Sequence, residues 1–425
     1  MGSRLHVPAR LVAVGLCLST ASFSQQIYSW QQLKDKFEQT NPTLRAGRDN
    51  IAETKAMEIT AFLRPNPDIN LLTDGTQITP NQGVWRPFSG TLIQTGLSYL
   101  HERDHKRELR LESAKKGTSI AVLQQQDTIR TMLFTLRNAF VMALQARAIR
   151  DVARENLTAY DRVLQVSKDR LSAGDIAQVD MMRLDLQRVQ YESDLQTAEV
   201  NVRTAKIQLL QLLNDRTPVE QFDVTGNFEF AETLLQLDEV RRMALDARPD
   251  LQAAAEAVSK AKSDHRLAVA NGSTDPTFSG WFTNNSSFSN PFANETVGAS
   301  VSVPLRIFDR NQGEKERTQI DIRRNERLQE AATSQVYGDV DSAYATLNST
   351  VTLLRPYKAK YLDEAVKVRD TITFAYQHGG ASLLDFIQAE NDYRMTRLSY
   401  LNLVGSYLNA ASQLNLAVGR EAIAP

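Results

Sequence analysis

His101-Glu102-Arg103-Asp104-His105 matches a template for chemistry. On an α-helix, two histidines four residues apart project from one face and can share a zinc ion, with the glutamate between them as general base. A zinc hydrolase also needs a third protein ligand and a sheltered cleft. Here Glu108 or Glu112 would have to supply that ligand from further along the same straight helix. Arg103, Asp104, Lys106 and Arg107 surround the pair with charge, whereas a buried zinc helix needs an apolar face. No phosphate loop, dinucleotide fingerprint or nucleophile elbow occurs elsewhere. An exported zinc metallohydrolase is therefore the enzyme alternative. The preferred reading names no catalytic residue, no cofactor and no metal site.

The elements that would hold such a motif are written twice. Asn41-Pro42-Thr43-Leu44-Arg45-Ala46 is echoed by Arg248-Pro249-Asp250-Leu251-Gln252-Ala253. Gly174 and Asp180 are echoed by Gly379 and Asp385, and 379 − 174 and 385 − 180 both give 205. A near-constant offset marks a duplicated structural unit, and two long copies make pseudo-symmetry within one fold, not a solenoid. In this duplicated frame His101 to His105 falls opposite Leu305 to Asp309, a strand-to-helix junction and not a cleft.

The chain has 425 residues, 23% of them charged, and a formal net charge of −1. No basic field exists to attract nucleic acid. Arg4 and Arg10 precede an apolar run from Leu11 to Leu18 and small residues up to Ser24, which reads as a secretory signal peptide. The single cysteine, Cys17, lies inside that signal behind Leu16, which argues against lipidation, since a lipoprotein cysteine follows a small residue. Beyond it no stretch approaches the roughly 18 apolar residues of a membrane helix. An exported chain of this kind enters a membrane only by strands closed into a barrel.

Strand character recurs in each copy, at Asp68 to Thr73 and Thr91 to Leu100, then at Thr277 to Thr283 and Thr296 to Val303. Val297, Ala299, Val301 and Val303 alternate with Gly298, Ser300 and Ser302, giving one greasy and one wet face. Each hairpin is preceded by a moderate helix, at Pro42 to Leu63 and Pro249 to Ala270. Each is followed by a polar helix of about 70 residues and about 100 Å, from Arg103 to Ser172 and from Asp309 to His378. Returning helices run from Ile176 to Leu213 and from Leu383 to Val418, and the short helices are expected to stack on them. Leu133, Leu136, Phe140 and Leu144, with Leu401, Val404, Leu408 and Ala411, have the spacing of coiled-coil seams. The division that follows is a signal peptide 1–24, a first repeat 25–221, a mixed equatorial segment 222–247, a second repeat 248–420 and a tail 421–425. Four strands cannot close a barrel, so several chains would have to share one.

This plan resembles the TolC-like outer membrane factors over almost the whole mature chain. Arg248-Pro249-Asp250-Leu251 is one of the most specific phrases. Ser302-Val303-Pro304-Leu305 followed by Phe308-Asp309-Arg310-Asn311-Gln312-Gly313 is the other, and it looks most like the CzcC-like heavy-metal efflux branch. The resemblance implies a mainly α fold with a small β part: a homotrimer whose long helices form an α-barrel and whose strands form one shared 12-stranded β-barrel. It implies a passive exit duct in the outer membrane of a Gram-negative bacterium, reaching through the periplasm to an adaptor and an inner-membrane transporter. Asp385 matches the carboxylates that ring the periplasmic mouth in this family, with Asp180 as its counterpart in the first repeat. Tyr376 matches a tyrosine that holds the mouth shut in some members, and Gly174, Gly379 and Gly380 lie in tip turns expected to meet the adaptor. Gln388 stands where a second ring carboxylate is common and Ala381 where some relatives carry a basic latch, so a double-ring, salt-bridged gate is not expected. A secreted coiled-coil scaffold without a channel is the remaining alternative, and it leaves the alternating hairpins unexplained.

Overall fold

The computed structural model describes residues 26–232, 235–285 and 293–423. The expected signal peptide and part of the second hairpin loop lie outside them. The described chain begins with a strand, β1 (Gln26–Tyr28), and a helix, α1 (Trp30–Thr40). Ser29 caps α1 reciprocally with Gln32, satisfying two of the amide groups that a helix start leaves bare. The sequence reading assigned no element to these residues.

The first repeat then runs α2 (Pro42–Phe62), β2 (Asp68–Asp74), β3 (Leu92–Leu100), α3 (Lys106–Ala173) and α4 (Gln178–Leu212). A connecting stretch carries β4 (Phe222–Val224) and α5 (Leu237–Ala247). The second repeat runs α6 (Pro249–Ala270), β5 (Thr277–Asn285), β6 (Glu295–Ser302), α7 (Gln312–Pro356), α8 (Leu362–Gln377) and α9 (Leu383–Val418). Helix α3 is 68 residues long, about 100 Å at the standard rise. It contains no proline, and it stops at Gly174, whose φ of 83° suits a residue without Cβ.

The second arm differs from the unbroken helix expected over Asp309 to His378. Pro356 has no N–H to give to the turn before it, and the chain widens into a π-helical turn at Tyr357–Tyr361 before α8 resumes.

The short helices do stack end to end on the returning ones. Asn41 accepts from the Thr43 and Leu44 amides at 2.9 and 3.2 Å, while its Nδ2 donates to the Leu212 carbonyl at 3.0 Å. One side chain thus starts α2 and finishes α4. Arg248 joins α6 to α9 without capping the α6 amides, donating to the Ala417 carbonyl at 3.3 Å and forming ion pairs with Asp250 and Asp339. Helices α2 and α4 pack along α3, and α6 and α9 pack between α3 and α7.

Three apolar clusters hold this arrangement. One joins α1, the middle of α3, the end of α4 and β4; a second joins α5, α7 and α9. All the positions read as coiled-coil seams except Leu401 belong to these two clusters or to their margin, so at mid-height they form a broader core than a seam. Strands β1 and β4 pair in parallel, Gln26 opposite Phe222, and close the belt. The third cluster lies at the far end of the helices.

Candidate functional site

Four strands form one antiparallel sheet in the order β2-β3-β5-β6, so the hairpins of the two repeats join through β3 and β5. Residues opposite each other in an antiparallel pair share a face. Register therefore puts Ile69, Leu71, Ile93, Leu97, Phe278, Phe282, Val297 and Val301 on one side. The other carries Asn70, Gln94, Ser98, Ser279, Thr283, Thr296, Ser300 and Ser302, with Leu72, Leu92, Leu100 and Trp281 among them. The apolar residues are exposed, as the lipid side of a barrel wall must be. Trp281 lies over the glycines of the wet face: a Cβ built on Gly298 would come within 2.6 Å of its Nε1, and one on Gly96 within 3.1 Å of its Cβ. Glycine here makes room for an indole. No described helix is long and apolar enough to cross a membrane.

At the opposite end, the turns after α3 and α8 bring four helix ends around Tyr160, Tyr191, Tyr376 and Phe386. The Tyr376 ring stacks on Phe386 at 4.9 Å between centroids, and Tyr160 donates to the Leu184 carbonyl at 3.1 Å. Arg170 donates to the Tyr376 carbonyl at 2.9 Å and ties one turn to the other. Arg394 pairs with Asp194 across the same region. Glu390 of α9 faces α8; burial pushes its carboxyl above the usual range against the pull of Arg369 and a 3.4 Å hydrogen bond from Thr373.

The zinc template does not form. Residues 101–105 precede the helix, which starts at Lys106, and Asp104 and His105 are both left-handed. The two imidazoles consequently do not share a helical face: His101 meets Phe278 edge-on, while His105 is 87% exposed and 4.0 Å from Glu108. Among the described residues no group of three His, Cys, Asp or Glu is placed to hold a metal. Asn311 begins α7 with the same left-handed φ, 60° against 54° for His105, so this junction is a feature of the duplicated unit.

Residues 240–420 match the family model of outer membrane efflux proteins. The chain is 22% identical over 393 residues to the cobalt-zinc-cadmium resistance protein CzcC of Cupriavidus metallidurans, covering 90% of this chain and 87% of that one. It is 23% identical over 358 residues to the pyoverdine export outer membrane protein OpmQ of Pseudomonas aeruginosa, covering 81% and 72%. Its fold matches the solved channel CusC, with a TM-score of 0.76, 17% identity and 92% of each chain covered. It also matches the open-state channel MtrE of Neisseria gonorrhoeae, with a TM-score of 0.73, 17% identity and 92% and 89% covered. Over its second repeat the chain matches the outer membrane efflux protein family, and its whole fold is similar to solved channels of this kind.

Members of this family are efflux channels, not enzymes. In its likeness to these outer-membrane channels, the strand sheet corresponds to their membrane wall and the four helix ends to their opposite tip. At that tip Asp385 is the third residue of α9 and closes a capping box: Ser382 donates to its carboxylate from N at 3.1 Å and from Oγ at 2.7 Å. Those hydrogen bonds hold the carboxyl below the usual range. Asp180 takes the equivalent place in α4 but makes no cap, and lies 3.6 Å from Arg183. Tyr376 is only 4% exposed and its hydroxyl is buried without a hydrogen-bond partner, so within the chain it serves as a core ring. Gly174 and Gly379 have φ of 83° and 78° with open space around them, while Gly380 donates from its backbone N–H to the Ala375 carbonyl at 2.7 Å. Sequence reasoning missed Arg170, Glu390 and the Arg394–Asp194 pair. Their only sequence signal is a charge at a helical position that faces inward.

Proposed function

We propose that three copies of this chain assemble into the passive exit duct of a tripartite efflux system, carrying cargo from an adaptor and inner-membrane transporter through the outer membrane. One observation carries the trimer: the sheet has a greasy outer face but two unclosed edges, β2 and β6, among the described residues. Bare backbone edges cannot persist in lipid. Pairing β2 of one copy with β6 of the next satisfies both, and three chains of four strands make a barrel of twelve. The tip turns at Gly174, Gly379 and Gly380 are the surface offered to the adaptor, and no catalytic step is assigned. Likeness to CzcC supports the heavy-metal branch, while the pyoverdine export named for OpmQ supports other cargoes, so in this reading selection rests with the pump.

In this reading the Asp385 carboxylates approach one another near the trimer axis and favour cations at the mouth. Asp385 also caps α9, and two substitutions separate the roles. Asp385→Gln keeps a capping-box residue but removes the charge; Asp385→Ala removes both. In single-channel recording both variants are expected to raise conductance or weaken blockade by multivalent cations. If only the alanine variant does so, Asp385 acts through the cap and not through its charge. The duct itself is tested by the native mass of the full-length protein extracted in mild detergent from an outer-membrane fraction. Three chains support it, and a soluble periplasmic monomer sinks it.

A further inference from the structure

Two depressions meet at the periplasmic foot of the strand wall. The first, about 580 Å³, is a trough on the apolar outer face, lined by Leu97, Tyr99, Phe278, Gly280 and Val301. It exists because Gly280 has no side chain: a Cβ built there meets only the Gly298 carbonyl, at 3.9 Å. The second, about 420 Å³, also starts at Tyr99 and is walled by Arg64, His101, Arg103 and Arg107. His101 lies edge-on to Phe278 at 6.4 Å, which puts this mouth on the same outward side as the trough.

The charges of the second pocket do not balance internally. Glu102 is tied to Arg110, Lys106 to Asp275, and Glu108 to Arg107. Arg64 and Arg103 are exposed, and neither guanidinium has a hydrogen bond or ion pair. Against these two cations stands one unpaired carboxylate, Asp104. We propose that the two depressions form one site for an anionic phospholipid of the periplasmic leaflet, with an acyl chain in the trough and the headgroup phosphate between Arg64 and Arg103. Tyr99 lies where chain meets headgroup, the depth at which amphipathic aromatic side chains collect. The site rests on the outer-membrane duct reading and goes beyond it, since a barrel needs lipid but no particular headgroup. Two guanidiniums beside a phosphate give charge-assisted, bidentate contacts that a zwitterionic lipid offsets with its own cation. An exposed cation pair alone would bind a free anion weakly, so the trough is what favours a lipid.

The test is native mass spectrometry of the full-length protein, released from detergent micelles doped with either phosphatidylglycerol or phosphatidylcholine. Wild type is expected to retain phosphatidylglycerol preferentially. Arg64→Gln with Arg103→Gln should cut that preference by roughly five-fold for each arginine removed. Gly280→Leu fills the trough and should lower retention of both lipids, while leaving the assembly mass unchanged. Equal retention of both lipids by a wild-type assembly recovered from the outer membrane overturns the lipid site alone. Loss of preference in the arginine variant with full retention in Gly280→Leu would mean a headgroup-only anion site, which also overturns it. A wild-type chain absent from the outer membrane overturns the duct reading instead.

Discussion

Arg248 is 4% exposed and holds the join between two helices through Asp250, Asp339 and the Ala417 carbonyl. Burial works to raise the Asp250 carboxyl, but the hydrogen bonds and charge of Arg248 win and hold it below the usual range. Arg248→Met should therefore destabilise the protein by about 2–3 kcal/mol, the scale of hydrogen bonds to charged groups. A lowered carboxyl pKa contributes stability above its unfolded value and loses it as pH falls. The deficit of the variant, read as its thermal midpoint by circular dichroism in detergent, is expected to be full at pH 7 and to shrink toward about pH 3. Glu390 has the opposite sign. Its carboxyl is raised by burial, so the tip is most stable when it is protonated and loses that margin as pH rises above the ordinary glutamate value. Glu390→Gln should stabilise the tip by on the order of 1 kcal/mol at neutral pH. Slower amide exchange in α8 and α9 at pH 7, and no difference from wild type near pH 4, would be the signature. Unchanged exchange at both pH values would remove Glu390 from the tip's pH response. Asp385 was legible as a position through the repeat, but its capping bond with Ser382 was not read from the sequence. Tyr376 was legible only by resemblance, and its burial depends on Phe386 and on Arg170 from the other hairpin.

At the scale of elements, the strand wall was the part most open to sequence reading, because a period of two directly reports a two-faced sheet. What alternation along a strand does not report is its partner. The placing of Trp281 over Gly96 and Gly298 follows only from the order β2-β3-β5-β6. Gly298→Val should push the indole off the wet face and cost about 1–3 kcal/mol through overpacking. Gel mobility before and after heating would show an earlier loss of the folded barrel, and adding Trp281→Ala should restore much of it. Failure of the double variant to recover would mean that Gly298 is needed for its backbone and not for space. The helices show the same limit. Their lengths were readable from missing breakers, yet the π turn after Pro356 and the left-handed starts at His105 and Asn311 depend on how each arm meets its neighbours. A His-Glu-x-x-His spacing carries zinc only if it is helical, and this one lies just outside its helix.

For the whole molecule, the duplication, the greasy wall and, among the described residues, the absence of a long apolar helix were written in residue order. Periodicity, composition and repeat offset are properties of one dimension. The tertiary structure decided which ends meet: Asn41 against Leu212, Arg248 against Ala417, β3 against β5, and one tip turn against the other through Arg170. It also decided that Tyr99 stands between an apolar trough and a cationic pocket, which no spacing in the sequence announces. The physical reason is that local patterns follow from backbone geometry repeated every 2 or 3.6 residues, whereas these contacts join residues as far as two hundred positions apart. Their free energy depends on burial and charge that exist only once the chain has closed on itself.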